Sequence, residues 1–200
     1  MLYFFFKILL TIPFMTLFRP RIKGWKHLFF RGKGILVSNH HDLSDPIYIA
    51  FISPRVIHFM AKQELFESKV GAMFMRSFLA FPVYRKHADM ASLKQAMSVL
   101  EKGRVFGIFP EGRRSVTGEL DEFEKGAAFL ALRCNAPIIP LYSDPDAPKR
   151  LRLRMIAGEP IDVEAVAKQY GGRSVDVVTD CIRDRMQEMK VEMLKWNKAL

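Results

Sequence analysis

Gly34-Ile35-Leu36-Val37-Ser38-Asn39-His40-His41-Asp42-Leu43-Ser44-Asp45-Pro46 is the stretch whose reading decides the fold. Residues 34–38 form a short apolar run of the kind found in a strand buried on both faces. Pro46 disfavours helical backbone at Asp45 and suits the first position of a helix. Asp45 is therefore expected to be a helix N-cap, with 40–45 as a turn. His40 then stands at a strand's carboxyl end, where α/β sheets place ligands.

Outward from this unit the chain keeps alternating between strand-like and helix-like pieces. Val56–Met60 reads as a second strand, followed by a helical stretch near Glu64–Ser77. Phe81-Pro82-Val83-Tyr84 is a weak strand, placed at an edge by Pro82. Asp89 can cap a helix with Leu93, Ala96, Met97 and Leu100 on one face, and Gly103 ends it. Val105–Phe109 reads as a central strand, Phe123–Cys134 as an apolar helix, and Pro137–Tyr142 as a strand between prolines. Leu151–Ile156 alternates with period two, which predicts a strand with one buried face. Val163–Tyr170 and Val175–Trp196 read as helices, the second with Val178, Ile182, Met186, Met189, Met193 and Trp196 on one stripe. The alternation predicts an α/β fold: a mixed, mainly parallel sheet flanked by helices.

The net charge of +10 is unevenly distributed. Residues 1–100 hold fourteen Lys/Arg against five Asp/Glu, and no acidic residue precedes Asp42. That asymmetry points to an anionic partner met by the N-terminal half. Residues 1–18 are nearly all apolar, with Lys7 and Pro13 as interruptions. As a helix they reach about 27 Å, short of the roughly 30 Å hydrocarbon core. An interfacial anchor flanked by basic residues, on an anionic membrane surface, fits better than a span or a cleaved signal. A buried N-terminal helix is the plain alternative. Residues 1–33 are thus expected to be a membrane-associating segment and 34–200 the functional domain. Cys134 and Cys181 lie in apolar periodic segments and are expected as buried free thiols in a reducing compartment. With the anchor, this places the protein on the cytoplasmic face of a membrane.

His40 and Asp45 are five apart. They diverge on a continuous helix but can meet in a turn. Contact would fix the imidazole tautomer and free the other nitrogen as a base. The plainer reading is that Asp45 only caps the helix. His41 competes as base, being four residues from Asp45, and His40, His41, Asp42 and Asp45 could be considered as metal ligands, though no further ligand cluster supports this. Seventy residues on, Phe109-Pro110-Glu111-Gly112-Arg113-Arg114-Ser115 puts a carboxylate and two guanidiniums in a sharp turn after a strand. Arg is well suited to gripping phosphate. Lys62 and Arg85, each just past a strand, could add positive charge, or could be surface residues. A base near an anion clamp suits a reaction at a hydroxyl of a phosphorylated substrate. No dinucleotide fingerprint, P-loop, nucleophile elbow or zinc spacing is present. No metal or cofactor is expected.

Four blocks in order across residues 35–161 resemble the glycerophospholipid acyltransferases that acylate lysophosphatidic acid. They are Asn39-His40-x4-Asp45; Lys62-Gln63-Glu64-Leu65-Phe66 with Phe81-Pro82-Val83-Tyr84-Arg85; Phe109-Pro110-Glu111-Gly112-x-Arg114-Ser115 with Phe123-Glu124-Lys125-Gly126; and Pro137-Ile138-Ile139-Pro140. Gly158-Glu159-Pro160-Ile161 matches a further common tail. Arg113 and Tyr84 depart from the usual pattern, where Thr and a small acid are common, and bear on head-group recognition. The resemblance implies that 34–200 is an acyltransferase domain. It implies that His40, oriented by Asp45, activates a glycerol hydroxyl toward the thioester of acyl-CoA or acyl-carrier protein, forming phosphatidic acid. It implies that Arg114, with Arg85 and Lys62, holds the acceptor's phosphate. Glu111 would orient Arg114 or touch the glycerol, and amides near Gly112 would serve the oxyanion. Other acceptors, glycerol 3-phosphate or another lysolipid, share the motifs. A non-enzymatic basic protein binding a membrane surface or nucleic acid leaves the ordered blocks without cause, and no nucleic-acid partner is expected.

Overall fold

The computed structural model describes residues 2–83, 90–146 and 152–199. Its centre is a seven-stranded sheet: β1 (Arg21–Lys23), β2 (Gly34–Ser38), β3 (Ile57–Lys62), β4 (Phe81–Val83), β5 (Val105–Ile108), β6 (Ile138–Ser143) and β7 (Arg154–Ala157), in the order β1-β7-β6-β2-β5-β3-β4. Only the β6–β7 pairing is antiparallel. The expected mixed, mainly parallel sheet is present, and Phe81–Val83 is an edge strand.

Among the described residues seven α-helices surround the sheet: α1 (Leu2–Phe18), α2 (Asp45–Ile52), α3 (Lys69–Ser77), α4 (Met90–Glu101), α5 (Gly126–Cys134), α6 (Val163–Gln169) and α7 (Val175–Lys198). The connections β2–α2–β3 and β3–α3–β4 both step toward the β4 edge, whereas β4–α4–β5 and β5–α5–β6 step back. Right-handed crossovers therefore put α2 and α3 on one face and α4 and α5 on the other. The core agrees. Ile35, Val37, Phe106, Ile138 and Tyr142 pack toward α4, α5 and α7, while Leu36, Val105, Ile139 and Leu141 pack toward α1 and α2. Buried on both sides, these strands read as continuous apolar runs rather than alternating ones.

Four sequence expectations are revised. Arg21–Lys23, inside the N-terminal segment, is a strand that pairs in parallel with Arg154–Ile156. The alternating strand at 151–156 becomes Arg154–Ala157, buried throughout. Its Arg154 is covered because Nη1 donates to Asn197 Oδ1 at the end of α7. The stretch 64–77 is split: a 3₁₀ turn at Gln63–Phe66 gives way to α3, capped where Ser68 Oγ accepts from Gly71 N. Cys134 and Cys181 are free but only partly buried; that burial raises both thiol pKa values. The Asp89 cap lies outside the described residues. Met90–Glu101 does form the helix, and Gly103 ends it with φ +68°.

α1 rests on α2 by one side. Phe14 stacks on Phe51 at 4.8 Å between centroids, and Lys7 Nζ donates to Ser53 O. Its other side leaves Ile8, Leu9, Ile12 and Leu17 exposed. No helix among the described residues is long and apolar enough to cross a membrane.

Candidate active site

β2, β5, β3 and β4 are parallel neighbours, so their carboxyl ends share one edge of the sheet. The turn 39–45 leaves from β2, and the turn 109–115 from β5. Lys62 is the exposed last residue of β3. Arg85, two residues beyond β4, lies outside the described residues.

The first turn closes around Asp45. Its Oδ2 accepts the backbone N–H of His41 (2.7 Å) and of Asp42 (2.8 Å), and the Nδ1–H of His40 (3.0 Å). Asp45 is buried, and the His40 side chain is 14% exposed. Asp45 is not the N-cap that the sequence predicts. Ser44 holds that place, since Tyr48 N donates to Ser44 O, and Asp45 is the first helical residue. The reason lies in the turn: Asp42 Oδ1 accepts Ser44 N and Ser44 Oγ, and Asp45 N donates to Asp42 O. This winds the chain into helical geometry one residue early and aims the Asp45 carboxylate back at the imidazole.

With Nδ1 donating to Asp45, His40 has its lone pair on Nε2, and no protein group among the described residues occupies that atom. The ring lies flat on Phe109, 4.1 Å between centroids. Phe109 is followed by Phe59 at 6.0 Å. Gly107 makes room for this row, because a Cβ there would come within 2.3 Å of the Phe59 ring.

His41 is excluded as the base. Asn39 Nδ2 donates to its Nε2, so the proton lies on Nδ1, which is buried without a partner. Burial pushes the His41 pKa down, against the pull of Asp45. Asn39 in turn exchanges bonds with Ser143 at the end of β6, accepting Ser143 N (2.7 Å) and donating to Ser143 O (2.9 Å). Two adjacent imidazoles thus receive the same Nδ1–H tautomer from different neighbours, and differ in that Nε2 of His41 is taken by Asn39 whereas Nε2 of His40 is open.

The second turn is pinned to the first. Glu111 is buried; its Oε1 accepts His40 N (3.1 Å) and its Oε2 accepts Asp121 N (3.3 Å). Burial raises its pKa, and the two amides oppose that rise. Each carboxylate oxygen accepts one backbone N–H, so Glu111 ties the second turn to the backbone that carries the imidazole. Ser115 N donates to His40 O at 2.8 Å. Gly112 makes the turn with φ +64°, and its own N–H donates to Phe109 O, so that amide is not open to an oxyanion. The amides of Arg113 and Arg114 have no protein partner among the described residues. Of the two guanidiniums, Arg113 pairs with Asp121 (3.1 Å). Arg114 is exposed, has no such partner among the described residues, and lies near enough to Asp42 to help hold its carboxyl charged, after the larger effect of Ser44.

Two residues tied to this site, Lys190 and Asn197, carried no signal in the local sequence, and Asn39 figured there only as part of a block, without its role. Asn39 sets the His41 tautomer. Lys190 of α7, with a largely buried stem, reaches Glu119 and ties α7 to the loop after Arg114, where Ser115 Oγ also donates to Glu119 O. Asn197 links buried Arg154 to buried Asp144 Oδ2. Each acts across more than forty positions of sequence or through a neighbour's amide. Among the described residues no group of three or more His, Cys, Asp or Glu is arranged to hold a metal.

A sequence model described as Acyltransferase matches residues 19–144, which include both turns. A protein of Bacillus subtilis named 1-acyl-sn-glycerol-3-phosphate acyltransferase is 31% identical over 162 residues, covering 78% of this chain and 80% of that one. The chain belongs to the acyltransferase family. A Streptococcus pneumoniae relative of the same name is 31% identical over 82% of this chain and 62% of its own length. The fold matches the crystal structure of the Thermotoga maritima 1-acyl-sn-glycerophosphate acyltransferase PlsC, with a TM-score of 0.70 over 92% of this chain and 80% of that one, at 18% identity. The family's region begins at residue 19, before β1.

Proposed function

We propose that the protein transfers a fatty acyl group from an acyl thioester to the free hydroxyl of lysophosphatidic acid, making phosphatidic acid. The observation that carries the reading is the His40–Asp45 pair, with Nδ1 bonded to the carboxylate and Nε2 open at the carboxyl edge of the sheet. Relatives that share most of the chain are named for this acceptor.

In this mechanism His40 Nε2 takes the hydroxyl proton as the alcohol oxygen attacks the thioester carbonyl. Asp45 steadies the imidazolium that forms. The tetrahedral intermediate collapses, the C–S bond breaks, and the thiolate leaving group recovers the proton from His40. No covalent acyl-enzyme is required. Positioned general-base catalysis of this kind contributes about 10²–10⁴ in rate. Arg114, helped by Lys62 and Arg85, binds the acceptor's phosphate. The exposed apolar side of α1, followed by Arg19, Arg21 and Lys23, keeps the site at a membrane surface on the cytoplasmic side. Acyl-CoA and acyl-carrier protein are the two donors to compare.

The test is release of free thiol from acyl-CoA on adding lysophosphatidic acid, repeated with acyl-carrier protein and with glycerol 3-phosphate as acceptor. Thiol release that needs lysophosphatidic acid and is lost in His40→Ala supports the reading. Release driven equally by glycerol 3-phosphate, or retained in the variant, removes the acceptor or the base, respectively.

A further inference from the structure

α3 carries its apolar residues on the side that faces water. Val70, Met73 and Phe74 recur at i, i+3 and i+4 and are 73%, 62% and 47% exposed. Leu65, in the 3₁₀ turn before the helix, adds a side chain 40% exposed. Each of the other six helices buries at least one apolar side chain, whereas the only buried residue of α3 is Ser77. A stripe at helical spacing normally faces the core; here the core lies elsewhere.

The charges on α3 are of one sign. Lys69 and Arg76 are exposed at its two ends, the helix has no acidic residue, and neither cation meets a carboxylate among the described residues. Glu64 and Glu67 flank Leu65 in the turn before the helix, but the stripe of α3 itself is bordered by cations, which suits a surface that is both greasy and anionic.

Right-handed crossovers put α3 on the same face as α2, and α1 packs on α2. α1 leads into edge strand β1 and α3 into edge strand β4, so exposed apolar helices stand at both ends of one face. Between them, in the turn that holds His40, Leu43 is also exposed.

We propose that α3 is a second membrane contact: Val70, Met73 and Phe74 enter the interfacial layer of an anionic bilayer, Lys69 and Arg76 meet its phosphates, and the His40 turn is held at the lipid surface between α1 and α3. This rests on the reading that the acceptor is a membrane lipid.

The test compares wild type, Met73→Glu/Phe74→Glu and a control, Val191→Glu on the exposed side of α7, in flotation with vesicles of phosphatidylcholine and phosphatidylglycerol. Thiol release is measured with lysophosphatidic acid dispersed in detergent micelles. The double variant is expected to bind vesicles at least about fivefold more weakly, as loss of two buried apolar anchors and gain of two negative charges dictate. Micellar thiol release should stay within about twofold of wild type, because no residue of α3 enters the proposed chemistry. The control should bind as wild type does. A milder Met73→Ser/Phe74→Ser pair should fall between the two and guards against misfolding. Unchanged vesicle binding in both α3 variants overturns the proposal, as does a wild-type dimer that these substitutions dissociate. A wild type that binds vesicles but releases no thiol with this acceptor overturns the acceptor reading alone.

Discussion

The turn after β2 closes on itself, whereas the turn after β5 closes on its neighbour. In the first, Asp45 gathers two backbone amides and an imidazole from the five residues before it. In the second, Glu111 reaches across to the amide of His40, and Ser115 binds the carbonyl of the same residue. One turn supplies the proposed base; the other grips the backbone that carries it, and Arg114 has no protein partner among the described residues. The division shows how two adjacent parallel strands can fix a base without using any exposed polar group for the purpose.

The strongest way to break this comparison is His40→Ala, expected to lower kcat by about 10²–10⁴ with circular dichroism unchanged. His41→Gln is its companion, expected to stay within about tenfold of wild type, since that imidazole is bonded to Asn39 and is not placed as a base. Equal losses in the two variants would erase the distinction between them. Next in size is Asp45→Asn, expected to cost about 10²-fold or more in kcat, because the amide can present N–H to His40 Nδ1 and favour the wrong tautomer. A loss confined to KM would contradict that.

The second turn is sharpened by two further changes. Arg114→Ala should raise the acceptor KM and lower kcat, about tenfold or more together, as loss of a charge-assisted phosphate contact does. Arg113→Ala, whose guanidinium is held by Asp121, should have a smaller effect. An acceptor dependence unchanged in Arg114→Ala rejects the clamp. Glu111→Ala leaves two N–H groups unmet and should destabilise the fold by about 1–3 kcal/mol in urea titration. It should also lower kcat while leaving acceptor KM near wild type.

The smallest expected effect is on stability against pH. Burial lowers the pKa of both His41 and His58 below the ordinary imidazole value of 6.5. His58 is buried in β3 with Nδ1 unpartnered and Arg104 adding to the shift. The unfolded chain then binds more protons than the folded one, so stability is full above about pH 6.5 and declines as pH falls toward the lowered folded values. Thermal unfolding from pH 8 to pH 5 should show this decline, and His58→Phe should flatten it. Stability that rises over that range would reverse the sign.

Much of this was legible in the sequence, for identifiable reasons. The β2 and β5 runs are buried on both faces, so their apolar character needs no context to read. His40 and Asp45 lie within one turn, and Pro46 fixes where the helix can begin. The resemblance already pointed to His40 rather than His41; what was not legible is that Asn39 occupies His41 Nε2, because Asn39 is itself placed by Ser143, over a hundred residues away. The bond from His40 N to Glu111 was not legible either, because the register that brings them together is a property of the β2–β5 pairing. β1 is three residues long, too few to show a period, and owes its existence to β7. Arg154 looked like the solvent side of an alternating strand until Asn197 of α7 covered it.

That β1–β7 seam has a consequence for synthesis. Arg21 has no strand partner until Arg154 has left the ribosome, 133 positions later, and the pairing is parallel, a slow class of contact to form. The β2, β3, β4 and β5 ribbons can be assembled well before then. The nascent chain therefore carries its first helix on a tether that no strand yet anchors, held in the meantime only by its packing on α2.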